Sequence, residues 1–228
     1  IMKNILIIGG TKGIGKSIVD DLIDDNNITC LSRNKSDFQH QNFIHREFDA
    51  LSDEYPEMDN LDCLIYCPGS INLKPISTLT LEDFRNDFEI NVMGAIKAIK
   101  KYLPLLKKSP SASILLFSTV ATKLGMPYHA SVSVAKSGVD GLVKTLGSEL
   151  APKVRINAIA PTITNTDLAS KILRNEKVIE NMIERHPLKK ILTSDEVAKM
   201  ASFLISEDAS SISGQIFNMD AGIVTFKS

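Results

Sequence analysis

Near its start the chain carries a short apolar run, Ile5-Leu6-Ile7-Ile8, which stops at Gly9-Gly10-Thr11-Lys12-Gly13-Ile14-Gly15. In the following stretch, Lys16 to Ile23, apolar side chains recur at helical spacing at Ile18, Val19, Leu22 and Ile23. The pattern reads as strand, tight turn, helix. Glycine suits such a turn because the backbone must bend sharply and lets a ligand approach closely, while the free N–H groups of the helix start point at an anion. The turn is therefore a candidate phosphate cradle, with an ordinary strand-to-helix loop as the plain alternative.

Composition agrees with a buried α/β core. The 228 residues are 43% hydrophobic with a formal net charge of −1, which fits a single domain over 1–228 and is not the composition of a basic nucleic-acid binder. No apolar run approaches the roughly 18 residues of a membrane span, and no charged-then-apolar leader opens the chain. The expectation is a soluble, cytoplasmic protein without nucleic-acid or membrane partners. Ile1, ahead of Met2, reads as foreign to the native start. Cys30, Cys63 and Cys67 fall in or beside expected strands, without the paired spacing of a zinc site, and are expected to be buried thiols with no metal bound.

Strands and helices then alternate. Ile28 to Leu31 reads as a second strand, tipped by Ser32-Arg33-Asn34. In a Rossmann unit this tip lies beside the adenosine ribose, where a carboxylate would accept from the 2′-hydroxyl of NAD and a cation would pair with the 2′-phosphate of NADP. Arg33 stands there without a carboxylate, and Lys12 could reach the same phosphate from the glycine turn, which favours NADP(H). Further strands are expected at Phe43–Phe48, followed by Asp49 where the adenine edge would be met, and at Leu61–Tyr66, Ser113–Phe117, Val154–Ile159 and Gln215–Met219. Helices are expected over Leu81–Leu106 with Asn91 inside it, Ser133–Leu150, and Asp195–Ile205 capped by Ser194 or Thr193. The polar stretch at about 162–190 is the natural place for a substrate lid. This order implies a doubly wound Rossmann fold with a parallel sheet of about seven strands covered on both faces.

With these residues in place, the chain resembles the short-chain dehydrogenase/reductase family over nearly its whole length, and the 3-oxoacyl-carrier-protein reductases within it. Gly9-x-x-x-Gly13-Ile14-Gly15, Gly69 after the fourth strand, Asn91, the Ser118-Thr119 pair, Ala135-Lys136-Ser137-Gly138 and Ile156 to Pro161 match its motifs in chain order. Thr164 and Thr166 fall where the family contacts the nicotinamide carboxamide. The resemblance implies a hydride passed from nicotinamide to a carbonyl carbon, a serine-type hydroxyl on the carbonyl oxygen, a tyrosine as proton donor, and a lysine one turn later that lowers the phenol pKa. It also implies a homodimer or homotetramer built on the helices carrying Asn91 and Lys136, whose apolar residues Ala98, Leu105, Val143 and Leu146 are equally consistent with core packing.

The pattern fails at the proton donor. One helical turn before Lys136 stands Val132, and no Tyr-x-x-x-Lys occurs elsewhere. At the serine position is Thr119, and the Asn-Asn-Ala-Gly loop reads Tyr66-Cys67-Pro68-Gly69. Tyr128, roughly 12 Å back along the helix line, His129 and Lys136 itself are the substitutes to weigh. Two functions follow. One is an NADP(H)-dependent reductase or dehydrogenase of a carbonyl or alcohol substrate, possible carrier-bound ones included, using Asn91, Thr119, Lys136 and Tyr128. The other is a weak or inactive homologue that binds NADP(H) as a structural or regulatory subunit.

Overall fold

The computed structural model describes residues 2–226; Ile1 lies outside them. In chain order its elements are β1 (Asn4–Ile8), α1 (Gly13–Leu22), β2 (Asn27–Ser32), β3 (Phe43–Glu47), β4 (Cys63–Tyr66), α2 (Leu81–Phe88), a π-helical turn (Glu89–Met93), α3 (Gly94–Leu106) and β5 (Ala112–Phe117). There follow α4 (Ala130–Glu149), β6 (Val154–Pro161), β7 (Thr164–Asn165), α5 (Glu176–Arg185), β8 (Leu192–Thr193), α6 (Ser194–Ile205) and β9 (Ile216–Met219). Seven parallel strands form the main sheet in the order β3-β2-β1-β4-β5-β6-β9, a Rossmann-type α/β architecture. No helix among the described residues is long and apolar enough to cross a membrane.

The central strands β1, β4 and β5 are largely apolar because both faces are covered, whereas the edge strand β3 carries His45, Arg46 and Glu47. Leu6, Leu64, Tyr66, Ile114 and Leu116 pack with Val92, Ile99, Val139 and Val143 from the helices of one face. Their neighbours Ile5, Ile7, Ile65 and Leu115 pack with Ile18, Val19, Val197 and Leu204 on the other. Each such side chain, fully buried, contributes roughly 1.5–3 kcal/mol. Ala98 and Val143 lie in this core, with Leu105 and Leu146 packed against it, so these residues face inward. Cys30 and Cys63 are buried and Cys67 partly so, all as free thiols.

The sheet order reverses between β1 and β4, the place where a doubly wound sheet opens a crevice at its strand ends. Helix expectations needed two corrections there. The helix expected without a break over Leu81–Leu106 is interrupted by the π turn that carries Asn91. The Asn91 side-chain amide donates to the Asp87 carbonyl at 2.7 Å, and the Tyr66 hydroxyl donates to the Ile90 carbonyl at 2.8 Å. Side chains thus compete for carbonyls that would accept in a regular ladder, which widens the turn. Helix α4 starts at Ala130, earlier than the expected Ser133, because His129 begins it without a side-chain cap to mark the boundary. Thr193 caps α6 in a reciprocal capping box with Glu196.

Candidate active site

The crevice is a cleft of about 540 Å³ that runs from the glycine turn to the segment after β6. At one end the turn is held open by backbone contacts. Gly9 and Gly13 have φ of +81° and +52°, and a Cβ on Gly15 would stand 2.2 Å from the Gly9 carbonyl oxygen. Lys12 begins α1 without a side-chain cap, and the first turn holds no acidic residue. The N–H groups of Gly13, Ile14 and Gly15, all on the cleft wall, are therefore free for an anion from outside the helix. This cradle fits the diphosphate of a dinucleotide.

Lys12 also lines the cleft, whereas Thr11, Arg33 and Asp49 lie off its wall. Thr11 donates to the Ser32 hydroxyl at 3.1 Å, beside the β2 tip. Arg33 is exposed just past that tip. The Asp49 carboxylate accepts from the Leu51 N–H at 2.9 Å and is engaged in its own turn. Arg33 and Asp49 follow the ends of β2, which pairs with β1, and β3, which pairs with β2, so they share the edge on which the glycine turn sits.

In the middle of the cleft are Gly69, Thr119, Val132 and Lys136. Thr119 precedes the 3₁₀ turn Val120–Thr122 and its oxygen accepts from the Ala121 N–H at 3.3 Å, which leaves its hydroxyl hydrogen for a ligand. Val132 is buried. Lys136 is 8% exposed and donates to the Phe117 carbonyl at 2.7 Å. Burial pushes its ammonium down to about 8, while the neighbouring Cys67, Asp140 and Asp87 act in the opposite sense. A Cβ on Gly69 would stand 3.0 Å from Asn91 Oδ1 and 3.5 Å from Lys136 Nζ, so a side chain here would crowd Asn91. Asn91 itself is buried behind the wall.

Tyr128 and Lys136 are not in equivalent places. Tyr128, with φ of +69°, is 59% exposed at the rim, whereas Lys136 is at the buried base. His129 places Nδ1 2.7 Å from the Pro127 carbonyl, a local contact within its loop.

The segment after β6 closes the far side. Pro161 and Thr164 line the cleft, and Thr166 packs against the glycine turn, 3.4 Å from where a Gly13 Cβ would be. Two residues of the site, His186 in this segment and Ser70 after β4, have no counterpart in the sequence reading. His186 is 2% exposed; its Nδ1 donates to the Met182 carbonyl at 2.6 Å, which leaves Nε2 to accept from the Thr162 hydroxyl at 2.8 Å. Ser70, beside Gly69, joins the wall to the buried Asp87. Asp87 had a signal in the sequence, since it lies one helical turn before Asn91; His186 had none. No cluster of metal-ligating side chains occurs among the described residues.

A family model described as Enoyl-(Acyl carrier protein) reductase matches residues 12–224. The 3-oxoacyl-[acyl-carrier-protein] reductase FabG of Buchnera aphidicola is 26% identical, covering 97% of this chain and 97% of the relative. A tropinone reductase homologue of Arabidopsis thaliana is 31% identical over 97% of this chain and 91% of its own length. Among solved structures, ElxO with NADP bound superposes with a TM-score of 0.90 at 26% identity, covering 99% of this chain and all of the other. With a family model spanning nearly the whole chain and relatives that match end to end, the protein belongs to the short-chain dehydrogenase/reductase family of oxidoreductases.

Proposed function

We propose that this protein reduces a carbonyl compound, or oxidises the corresponding alcohol, with NADP(H). The observation that carries the reading is the continuity of one cleft from the uncapped glycine turn to Thr119 and the buried Lys136. When bound, the cofactor supplies or accepts the hydride. Gly13, Ile14 and Gly15 receive its diphosphate on backbone N–H groups, while Gly9, whose own N–H donates to the Leu31 carbonyl, shapes the turn and Thr11 steadies the β2 tip. Lys12 and Arg33 pair with the 2′-phosphate, and Asp49 lies on the adenine side. Gly69, Asn91, Pro161, Thr164 and Thr166 shape the nicotinamide end. Relatives named for NADP support the phosphate assignment.

On the substrate side Thr119 donates to the carbonyl oxygen, while Lys136 holds positive charge beneath it and stabilises the negative charge that develops there. Because Val132 has no proton to give, this chain must move the proton by another group, and Tyr128 at the rim contacts the substrate's outer part. Apolar side chains dominate the wall beyond Thr119, among them Ile71, Leu73, Met126, Leu168 and Ile172, which suits an acyl-type substrate. Relatives named for acyl-carrier-protein substrates point the same way, to a thioester-bound 3-keto group as the first compound to try. Residues 162–190 act as a lid, and a cytoplasmic homo-oligomer is expected, with exposed Phe88 and Val134 on α2 and α4 as the face for a second copy. A sedimentation run showing a monomer would remove that last element.

The test is NADPH consumption with a panel of ketones and carrier-bound 3-ketoacyl groups. Turnover above a Lys136→Ala baseline supports the reading. Tight NADPH binding with no turnover on any of them would favour a cofactor-binding subunit without catalysis.

A further inference from the structure

Behind the cleft wall, at the end of α2, lies a carboxylate that the proposed reaction has not used. Asp87 is 2% exposed, and none of the ion pairs among the described residues includes it. A buried carboxyl without a cation in contact is costly, and it is kept where hydrogen bonds hold it or where it performs chemistry. Asp87 Oδ1 accepts from the Ser70 hydroxyl, Ser70 Oγ accepts from Asn91 Nδ2 at 3.1 Å, and Asn91 Nδ2 also donates to the Asp87 carbonyl at 2.7 Å. Asp87 Oδ2 and Asn91 Oδ1 have no partner. Past Asn91, Asn91 Oδ1 and Lys136 Nζ both lie beside Gly69, 3.0 and 3.5 Å from where its Cβ would be.

Ser70 belongs to both places. Its oxygen is tied to the buried acid, and the residue lines the cleft. With its hydrogen directed at Asp87 and one lone pair taken by Asn91, a second lone pair remains for a group in the cleft. The other candidates lack such a link. Val132 has no exchangeable proton, Tyr128 is at the exposed rim, His129 is held to Pro127, and Thr119 is bonded to backbone.

We propose that Ser70 and Asp87 are the proton-transfer pair of this cleft, Ser70 Oγ exchanging a proton with the substrate oxygen and the Asp87 carboxyl storing it. The proposal rests on the hydride-transfer reading above. In reduction, the hydride adds to the carbonyl carbon and the C–O π pair moves to oxygen. The Ser70 O–H bond breaks as the substrate O–H bond forms, and the Asp87 carboxyl O–H breaks to restore Ser70. The cofactor is oxidised, the substrate is reduced, and the Asp87 carboxylate regains its proton from solvent. Alcohol oxidation is the reverse, with Asp87 as the base. Lys136 on α4 is electrostatically coupled to Asp87, and Asp140 on the same helix and Cys67 after β4 act on the same ammonium.

Two readouts separate this proposal from the reading beneath it. In the protein without substrate, the Asp87 carboxyl carbon is followed by NMR, with Asp87→Asn giving the assignment. The pair predicts that the proton exchange of this carboxyl with solvent slows in Ser70→Ala. Exchange that ignores the loss of Ser70 overturns the proposal even if the protein turns over ketones. In single turnover, Ser70→Ala and Asp87→Asn are expected to lose about 10²-fold or more while NADPH affinity stays within about twofold, with Ser70→Thr recovering most of the rate. Wild-type rates and an unchanged pH profile in both variants also overturn it. If Asp87→Asn fails to fold, Ser70→Ala carries both readouts. Absence of turnover in the wild-type protein would defeat the hydride-transfer reading alone, leaving the NMR result to decide whether the pair moves protons.

Discussion

The two ends of the cleft are built on different terms. At the glycine turn the requirement is on the backbone: positive φ at Gly9 and Gly13, and no room for a Cβ at Gly15. Glycine meets it best, and the turn keeps the Gly9-x-x-x-Gly13-Ile14-Gly15 pattern. At the other end the requirement is on chemistry. A group must pass a proton, and several side chains can do that if they are connected to an acid. There the chain has Val132, an exposed Tyr128 and a half-buried Ser70 bonded to the buried Asp87. Backbone constraints leave one solution, whereas a proton donor can be relocated.

This contrast can be sharpened by substitutions that strike one end and spare the other. The largest effect is expected at the chemical end: Lys136→Met should lower turnover by about 10²- to 10⁴-fold, with NADPH affinity reduced far less. A variant that loses binding and turnover in equal measure would erase the distinction. Gly15→Ala should do the opposite, weakening NADPH binding by about 10²-fold through backbone strain, measured by calorimetry beside a thermal melt to show that the fold persists. Near-normal affinity would mean that the turn is not the phosphate cradle. Arg33→Ala is expected to cost about tenfold in NADPH affinity and nothing in NADH affinity; equal losses would detach Arg33 from the 2′-phosphate. The smallest effect is in pH. Lys136 is charged below about 8 and neutral above it, so carbonyl reduction should hold steady on the acid side and fall by about half near pH 8. A rate flat through that range would mean that the Lys136 charge does not assist the reaction.

Most of the fold could be read from the sequence because its signals are local. The apolar runs at β1, β4 and β5 are short and bounded, and Thr193 with Glu196 spells out the start of α6. The π turn at Asn91 could not be read, since it depends on Tyr66 reaching Ile90 across the sheet. The same holds within the site. Gly15, Thr119 and Lys136 sit at readable spacings, but the Ser70–Asp87 contact joins residues far apart in sequence. His186 pairs with Thr162 only because α5 folds back over the β6 end. Arg33 and Asp49 follow the ends of β2 and β3 and lie off the cleft wall.

The most direct measurement follows the hydride itself. Purified protein is mixed with NADPH deuterated at C4 and a carrier-bound 3-ketoacyl group or a simple ketone, and the product is analysed by mass spectrometry and NMR. A family member that carries out hydride transfer should place one deuterium on the new carbinol carbon, at a rate that Lys136→Met suppresses. Saturating NADPH binding with no deuterium transferred to any carbonyl compound would contradict a catalytic role for this cleft.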